Sequence, residues 1–96
     1  MSDVVTEAVA ALNAKMGGAG FDGTAKFEIE GEGGIIIDGD GARAGDDDAD
    51  VTLTATTDVF KAILDGEMNP TTAFMTGKLS VDGDMGQAMK LAGVLG

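Results

Sequence analysis

The hydropathy period of this chain changes twice, and that change limits the fold more than any single residue does. Between Ala25 and Ala55 apolar side chains mostly alternate with polar ones, whereas the flanking segments carry them at helical spacing. Alternation at period two gives a strand one apolar face; recurrence at 3.6 gives a helix one apolar stripe. A chain that runs through several strands first and mostly helices later buries both by laying its helices on the sheet. The expected order is α-β-β-β-β-α-α-β-α, an α+β domain with the helices gathered on one sheet face. The 96 residues suffice for one domain, 1–96, with one modest core.

The first helix is expected from Val5, Ala8, Val9, Leu12 and Met16, with Ser2 or Asp3 at its start, Gly17-Gly18 at its end, and Glu7 and Asn13 on its other face. Ala25, Phe27 and Ile29 alternate with Lys26, Glu28 and Glu30 in a strand with one wet face. Ile35-Ile36-Ile37 reads as a second strand covered on both faces. Asp38-Gly39 and Asp40-Gly41 are both hairpin dipeptides, able to turn the chain into a short third strand near 42–44. Asp46-Asp47-Asp48-Ala49-Asp50 is a solvated loop, since adjacent carboxylates repel. Val51, Leu53 and Ala55 alternate with threonines in a fourth strand. Thr57 or Asp58 caps a helix carrying Val59, Phe60, Ile63 and Leu64, and Asn69-Pro70 opens a short one carrying Phe74 and Met75. Leu79 and Val81 mark a fifth strand. Asp84 and Gln87 resemble a capping box at the start of the last helix.

Composition removes much chemistry. Without Cys, His, Trp or Tyr there are no disulfides, thiol nucleophiles, His-based catalysis or usual zinc-finger ligand sets. Neither serine lies in a GxSxG elbow, and no catalytic residue is assigned. Gly77-Lys78 fails as the end of a phosphate loop, because Thr72 and Leu79 stand where Gly and Ser/Thr are required. The aspartates from Asp38 to Asp50 fail as a calcium loop, with Ala42, Arg43 and Ala49 at the positions that need a ligand, Gly and Glu. No metal and no cofactor are expected. The net charge of −11 repels phosphate backbones and anionic lipid, and the six basic residues are scattered singly. Nucleic-acid binding is therefore excluded, and membrane contact is expected to be transient at most. No apolar run spans a bilayer and no signal peptide is evident at MSDVVTEAVA, so a cytoplasmic location is expected. The Asp-rich, Lys-poor balance resembles proteins adapted to high salt, where a Debye length of about 3 Å near 1 M removes most self-repulsion.

The last helix carries more apolar surface than a sheet needs. Met85, Ala88, Met89, Leu91, Ala92 and Leu95 span roughly 160° of it, against about 100° for a helix lying on a core. Another chain, a ligand or nothing covers the surplus. Four of the six methionines (Met68, Met75, Met85, Met89) lie in this last third. Methionine adapts to variable apolar shapes, so a greasy, loosely specified ligand suits such a lining.

Met68-Asn69-Pro70, Ala73-Phe74, Gly77-Lys78-Leu79, Gly83, Met85 and Ala88-Met89-Lys90-Leu91 resemble, in order and spacing, the sterol carrier protein-2 (SCP-2) domain family. The first half agrees in element order and in a strand carrying Phe27. The resemblance implies a five-stranded sheet with a crossover between the third and fourth strands, at Asp46 to Asp50, and helices enclosing an apolar tunnel. It implies non-enzymatic binding and transfer of fatty acyl, isoprenoid or sterol-like chains. Carried onto this chain, the lining would be Phe60, Leu64, Met68, Phe74, Met75, Leu79, Met85 and Met89. Eukaryotic members often continue past the last helix to a peroxisomal tripeptide, whereas this sequence stops at Val94-Leu95-Gly96, so a tunnel mouth that is wider or closed by a second subunit is expected; with the acidic composition, a prokaryotic, salt-adapted member is the expectation. The alternative is an interaction or accessory module that forms a homodimer through the wide face of the last helix and binds no lipid.

Overall fold

A computed structural model describes residues 3–17 and 20–95 of the protein. Its elements follow the expected order: α1 (Asp3–Met16), β1 (Ala25–Ile29), β2 (Gly33–Asp38), β3 (Gly41–Ala44), β4 (Val51–Ala55), α2 (Thr57–Leu64), α3 (Pro70–Met75), β5 (Ser80–Gly83) and α4 (Met85–Leu95). The five strands form one sheet in the order β3-β2-β1-β4-β5, with β1 and β4 parallel and the other neighbours antiparallel. The register pairs Phe27 with Ile35 on one side and Leu53 on the other. Ala25, Phe27 and Ile29 therefore share a face with Ile35, Ile37, Val51, Leu53 and Ala55, and all eight are buried. The helices cover that face: α1 packs on β3 and β2, and α4 on β4, β1 and β5.

Ile36 points to the opposite face, yet only 1% of it is exposed. Its cover is the acidic crossover. To join β3 to β4 the chain must pass β2 and β1, three strand spacings of about 4.8 Å each. Residues 45–50 make that passage on the helix-free side. Gly45 N–H donates to Gly34 O (3.1 Å) and Asp50 N–H to Thr24 O (3.0 Å), while Lys26 Nζ reaches Asp46 at 3.1 Å. A Cβ on Gly45 would lie 3.1 Å from Ile36 Cγ1, so a glycine is what lets the backbone rest on that side chain. The carboxylates of the loop face solvent, as their mutual repulsion requires.

Several local expectations shift. Thr56, one residue earlier than expected, caps α2, its hydroxyl accepting from Val59 N–H (3.3 Å). The β2–β3 hairpin turns through Gly39-Asp40; of the two expected Asp-Gly pairs, only Gly41 takes a positive φ (109°). Asp38 holds that turn by accepting from Asp40 N–H (2.9 Å) and pairing with Arg43 (2.8 Å). Asn13 does not simply face solvent: its amide accepts from Ala42 N–H (2.9 Å) and donates to Ala42 O (3.0 Å). It thereby occupies polar groups of the edge strand β3 that would otherwise be open to another strand. Leu79 is buried but precedes β5, which begins at Ser80. The capping box forms by half. Asp84 Oδ1 accepts from Gly86 N–H (2.8 Å) and Gln87 N–H (3.3 Å), whereas the Gln87 amide lies against Gly23 and its Oε1 is buried without a partner. Ser2 and Gly18, expected at the ends of α1, lie outside the described residues.

Candidate apolar groove between the last helices

α3 starts sharply because Asn69 Oδ1 accepts from Thr71 N–H (2.8 Å) and Thr72 N–H (3.4 Å), and Pro70 needs no donor at the first helical position. After six residues the chain turns back, with Lys78 and Leu79 N–H donating to Ala73 O (2.9 and 3.0 Å). That turn drives Leu79 inward to 3% exposure while Phe74 remains on the rim at 42%. Gly83, at φ 115°, then brings β5 against β4, and a Cβ there would collide with the carbonyl oxygen of Asp50. Asp84 caps α4 next to it, so α4 crosses the sheet beside α3.

Between α3, α4 and β4 lies a groove floored by Leu53 and Leu79 and walled by Pro70, Thr71, Phe74, Met85, Ala88, Met89 and Ala92. No charged residue lines it. Its volume is about 30 Å³, room for a water or two by the ~10–15 Å³ a water needs, so the groove is shallow. Among the described residues, all large hydrophobic side chains that stand exposed are here or beside it: Phe74, Met75, Met85 and Met89. A second cavity, of about 260 Å³, opens between α1 and α2. Val4, Ala8, Ala11, Phe60 and Leu64 give it an apolar lining and Glu7, Lys61 and Asp65 its charge.

The eight side chains that the resemblance assigned to one tunnel are thus divided. Phe74, Leu79, Met85 and Met89 meet in the shallow groove. Phe60 and Leu64 line the α1–α2 cavity, where Phe60 is fully buried with its ring 4.2 Å from that of Phe27. Met68 is half-buried against the core and lines neither cavity. Met75 is 78% exposed and also lines neither. Leu53, Pro70, Thr71, Ala88 and Ala92 line the groove without having been assigned to it. Ala88 and Ala92 were legible as part of the wide apolar face of α4, but nothing local to Leu53 or Pro70 marks them as groove residues.

The resolved ionisation shifts lie away from the groove. Arg43's hydrogen bond and the Asp40 N–H hold the Asp38 carboxyl below its ordinary range. The hydrogen bond to Asp46 raises Lys26, and the hydrogen bond to Asp38 raises Arg43. Among the described residues no set of acidic side chains converges to hold a metal ion, and no helix is long and apolar enough to cross a membrane. The lining of the groove is apolar apart from Thr71 and carries no charged group.

A family model described as the SCP-2 sterol transfer family matches residues 7–96. Hydroxysteroid dehydrogenase-like protein 2 of Homo sapiens is 40% identical over 73 residues, which are 68% of this chain and 18% of that protein. The chain thus spans less than a fifth of the length of such curated relatives. Among solved structures, the sterol carrier protein domain 2 of Helicoverpa armigera is similar with a TM-score of 0.77 and 26% identity, over 96% of this chain and 85% of that one. Sterol carrier protein 2 from Aedes aegypti, solved in complex with the C16 fatty acid palmitate, has a TM-score of 0.75 at 24% identity, over 99% and 96%; at that identity the likeness is one of fold.

Proposed function

The chain belongs to the SCP-2 sterol transfer family, and from that premise we propose that it acts as one lipid-binding domain, holding an apolar chain between α3, α4 and β4 without reacting with it. The observation that carries this reading is the groove itself: a lining without charge, flanked by large apolar side chains that remain partly in water. A fold-level relative solved with palmitate supports a fatty acyl chain as the ligand class. At about 30 Å³ the groove is far smaller than the ~300–1,000 Å³ of ordinary ligand sites. Entry of a chain therefore requires α3 and α4 to part. Phe74, Met85 and Met89 are the side chains that would rotate aside, and the two methionines do so at low cost because their side chains are unbranched. A C16 chain burying about 350 Å² gains several kcal/mol gross at ~25 cal/mol per Å², before ordering costs.

The test is displacement of a fluorescent fatty-acid probe from delipidated protein. The chain has no Trp or Tyr, so the signal must come from the probe. One saturable site, displaced by unlabelled acyl or isoprenoid chains and abolished by Met85→Lys and by Phe74→Asp, is expected. Binding that survives both substitutions in folded protein overturns the assignment of the groove.

A further inference from the structure

Methionine is the one side chain of this protein that a mild oxidant such as a peroxide can attack. The chain holds six methionines and no Cys, Trp, Tyr or His, so no thiolate, indole, phenol or imidazole competes for the oxidant. Susceptibility then follows exposure, and the fold sorts the methionines by it. Among the described residues, Met16 and Met68 are half-buried against the core, whereas Met75, Met85 and Met89 are 78, 47 and 62% exposed. Met85 and Met89 are also walls of the groove, while Met75 lines no described cavity. Leucine matches methionine in helix propensity and in the gain from apolar burial. Neither the helix nor its apolar face therefore calls for sulfur at residues 85 and 89.

We propose that Met85 and Met89 form an oxidation site through which hydrogen peroxide releases the bound chain. The proposal rests on the groove as the lipid site and names how that site is regulated. The thioether sulfur attacks one oxygen of the peroxide: an S–O bond forms and the O–O bond breaks. The departing oxygen takes the proton of the transferred one and leaves as water. Each methionine is thereby oxidised by two electrons to its sulfoxide and the peroxide is reduced, with no further reactant. The sulfoxide is polar, and its oxygen accepts hydrogen bonds. In the empty protein that oxygen is hydrated, because both side chains stand partly in water. Under a bound chain it loses that water, and the lining offers no charged group and only the Thr71 hydroxyl as a side-chain donor in exchange. A polar group buried without a partner is costly. Oxidation therefore disfavours the filled groove and leaves the empty one unaffected, which is the difference a modification needs in order to shift binding. A bound chain in turn covers both sulfurs and shields them from peroxide. Met75, more exposed than either, serves as the internal reference, since it is open to peroxide whether the groove is filled or empty.

The experiment treats delipidated protein with hydrogen peroxide, alone and after saturation with palmitate, and reads the sulfoxide at each methionine by peptide mass. Fluorescent fatty-acid binding and circular dichroism are measured on the same samples. Met75, Met85 and Met89 are expected to oxidise before Met16 and Met68, and palmitate to slow Met85 and Met89 but not Met75. Protein oxidised at Met85 and Met89 is expected to bind the probe about 10- to 100-fold more weakly, with its circular dichroism unchanged. Methionine sulfoxide reductases for both epimers, with a dithiol reductant, are expected to restore binding. Protein carrying Met85→Leu and Met89→Leu, compared with itself before and after peroxide, is expected to keep its own affinity although its Met75 is oxidised. Wild-type binding that survives oxidation of both methionines overturns the oxidation site and leaves the lipid groove standing. A loss that the doubly substituted protein shares, or that comes with unfolding, equally overturns it. If that variant binds no probe before peroxide, the reductases decide on the wild type: binding that does not return with the methionines overturns the proposal. Untreated wild-type protein that binds no probe discards the groove as a lipid site, and the proposal with it.

Discussion

Phe60 and Phe74 are both aromatic residues of the helical layer, and they are expected to fail in opposite ways when cut back to alanine. Phe60 has no exposed surface, and its ring sits 4.2 Å from that of Phe27 at an interplanar angle of 57°. Removing a buried phenylalanine costs about 3–5 kcal/mol. A domain of this length has roughly 5–14 kcal/mol of stability at about 0.05–0.15 kcal/mol per residue. Phe60→Ala should therefore move the urea midpoint down by about 2 M, for a slope near 2 kcal/mol per M. Phe74 is 42% exposed, so it has fewer contacts to lose, and its variant should lose only about 1–2 kcal/mol. Its exposed part is about 85 Å² of a side chain of about 200 Å². A ligand that covers half or all of that part gains about 1–2 kcal/mol from it at ~25 cal/mol per Å². Phe74→Ala should thus weaken probe binding between about 5- and 35-fold. Urea unfolding followed by circular dichroism and probe titration of the same samples reads both effects. If Phe74→Ala binds probe like wild type and loses as much stability as Phe60→Ala, Phe74 is core packing and the groove is not a site.

Other outcomes follow from the contacts described. The Asp38 carboxyl, hydrogen-bonded by Arg43 and Asp40 N–H, titrates below its ordinary value of 3.8; its stabilising contribution is present above that pH and lost as pH falls through the folded value. Thermal melts of Asp38→Asn and wild type should differ near neutrality and converge in acid. Gly83→Ala should lower the melting temperature strongly, because φ 115° and the carbonyl oxygen of Asp50 leave no room for a Cβ, and strain of this kind costs about 1–3 kcal/mol before any clash. Asn13→Ala removes both hydrogen bonds to Ala42 and should cost about 1–2 kcal/mol in urea unfolding. Raising KCl should increase the folded fraction seen by circular dichroism, since screening weakens the self-repulsion of a chain at −11.

The elements were legible because each carries its own period. Ala25, Phe27 and Ile29 announce a half-buried strand, and Asn69-Pro70 announces a helix start; neither depends on what lies across the core. The three consecutive isoleucines also foretold cover on both faces of β2, since a run without alternation leaves no face for water. What the run could not name was the cover. That Gly45 and the acidic crossover close over Ile36 follows only from the sheet order, in which β4 lies beyond β1. Asn13 lies on the polar side of α1 as expected and is exposed; what the sequence could not supply was its partner, since only the arrival of β3 gives its amide one. The turn at Gly39-Asp40 required choosing between two equivalent Asp-Gly pairs, and the register of Asp38 with Gly41 made the choice.

For the groove the division is similar. By itself the sequence determined that α4 has more apolar surface than a sheet can cover, that the methionines gather near it, and which family the chain resembles. Only the tertiary structure decided which of those apolar side chains are core and which meet water. Phe60 and Phe74 look alike along the chain, as do Met68 and Met75, yet one of each pair is buried or packed on the core and the other stands exposed. Periodicity reports which side chains share a face of their own element. Whether that face is covered depends on elements distant in sequence, here the crossing of α4 over β4 beside α3, and no local pattern records that meeting.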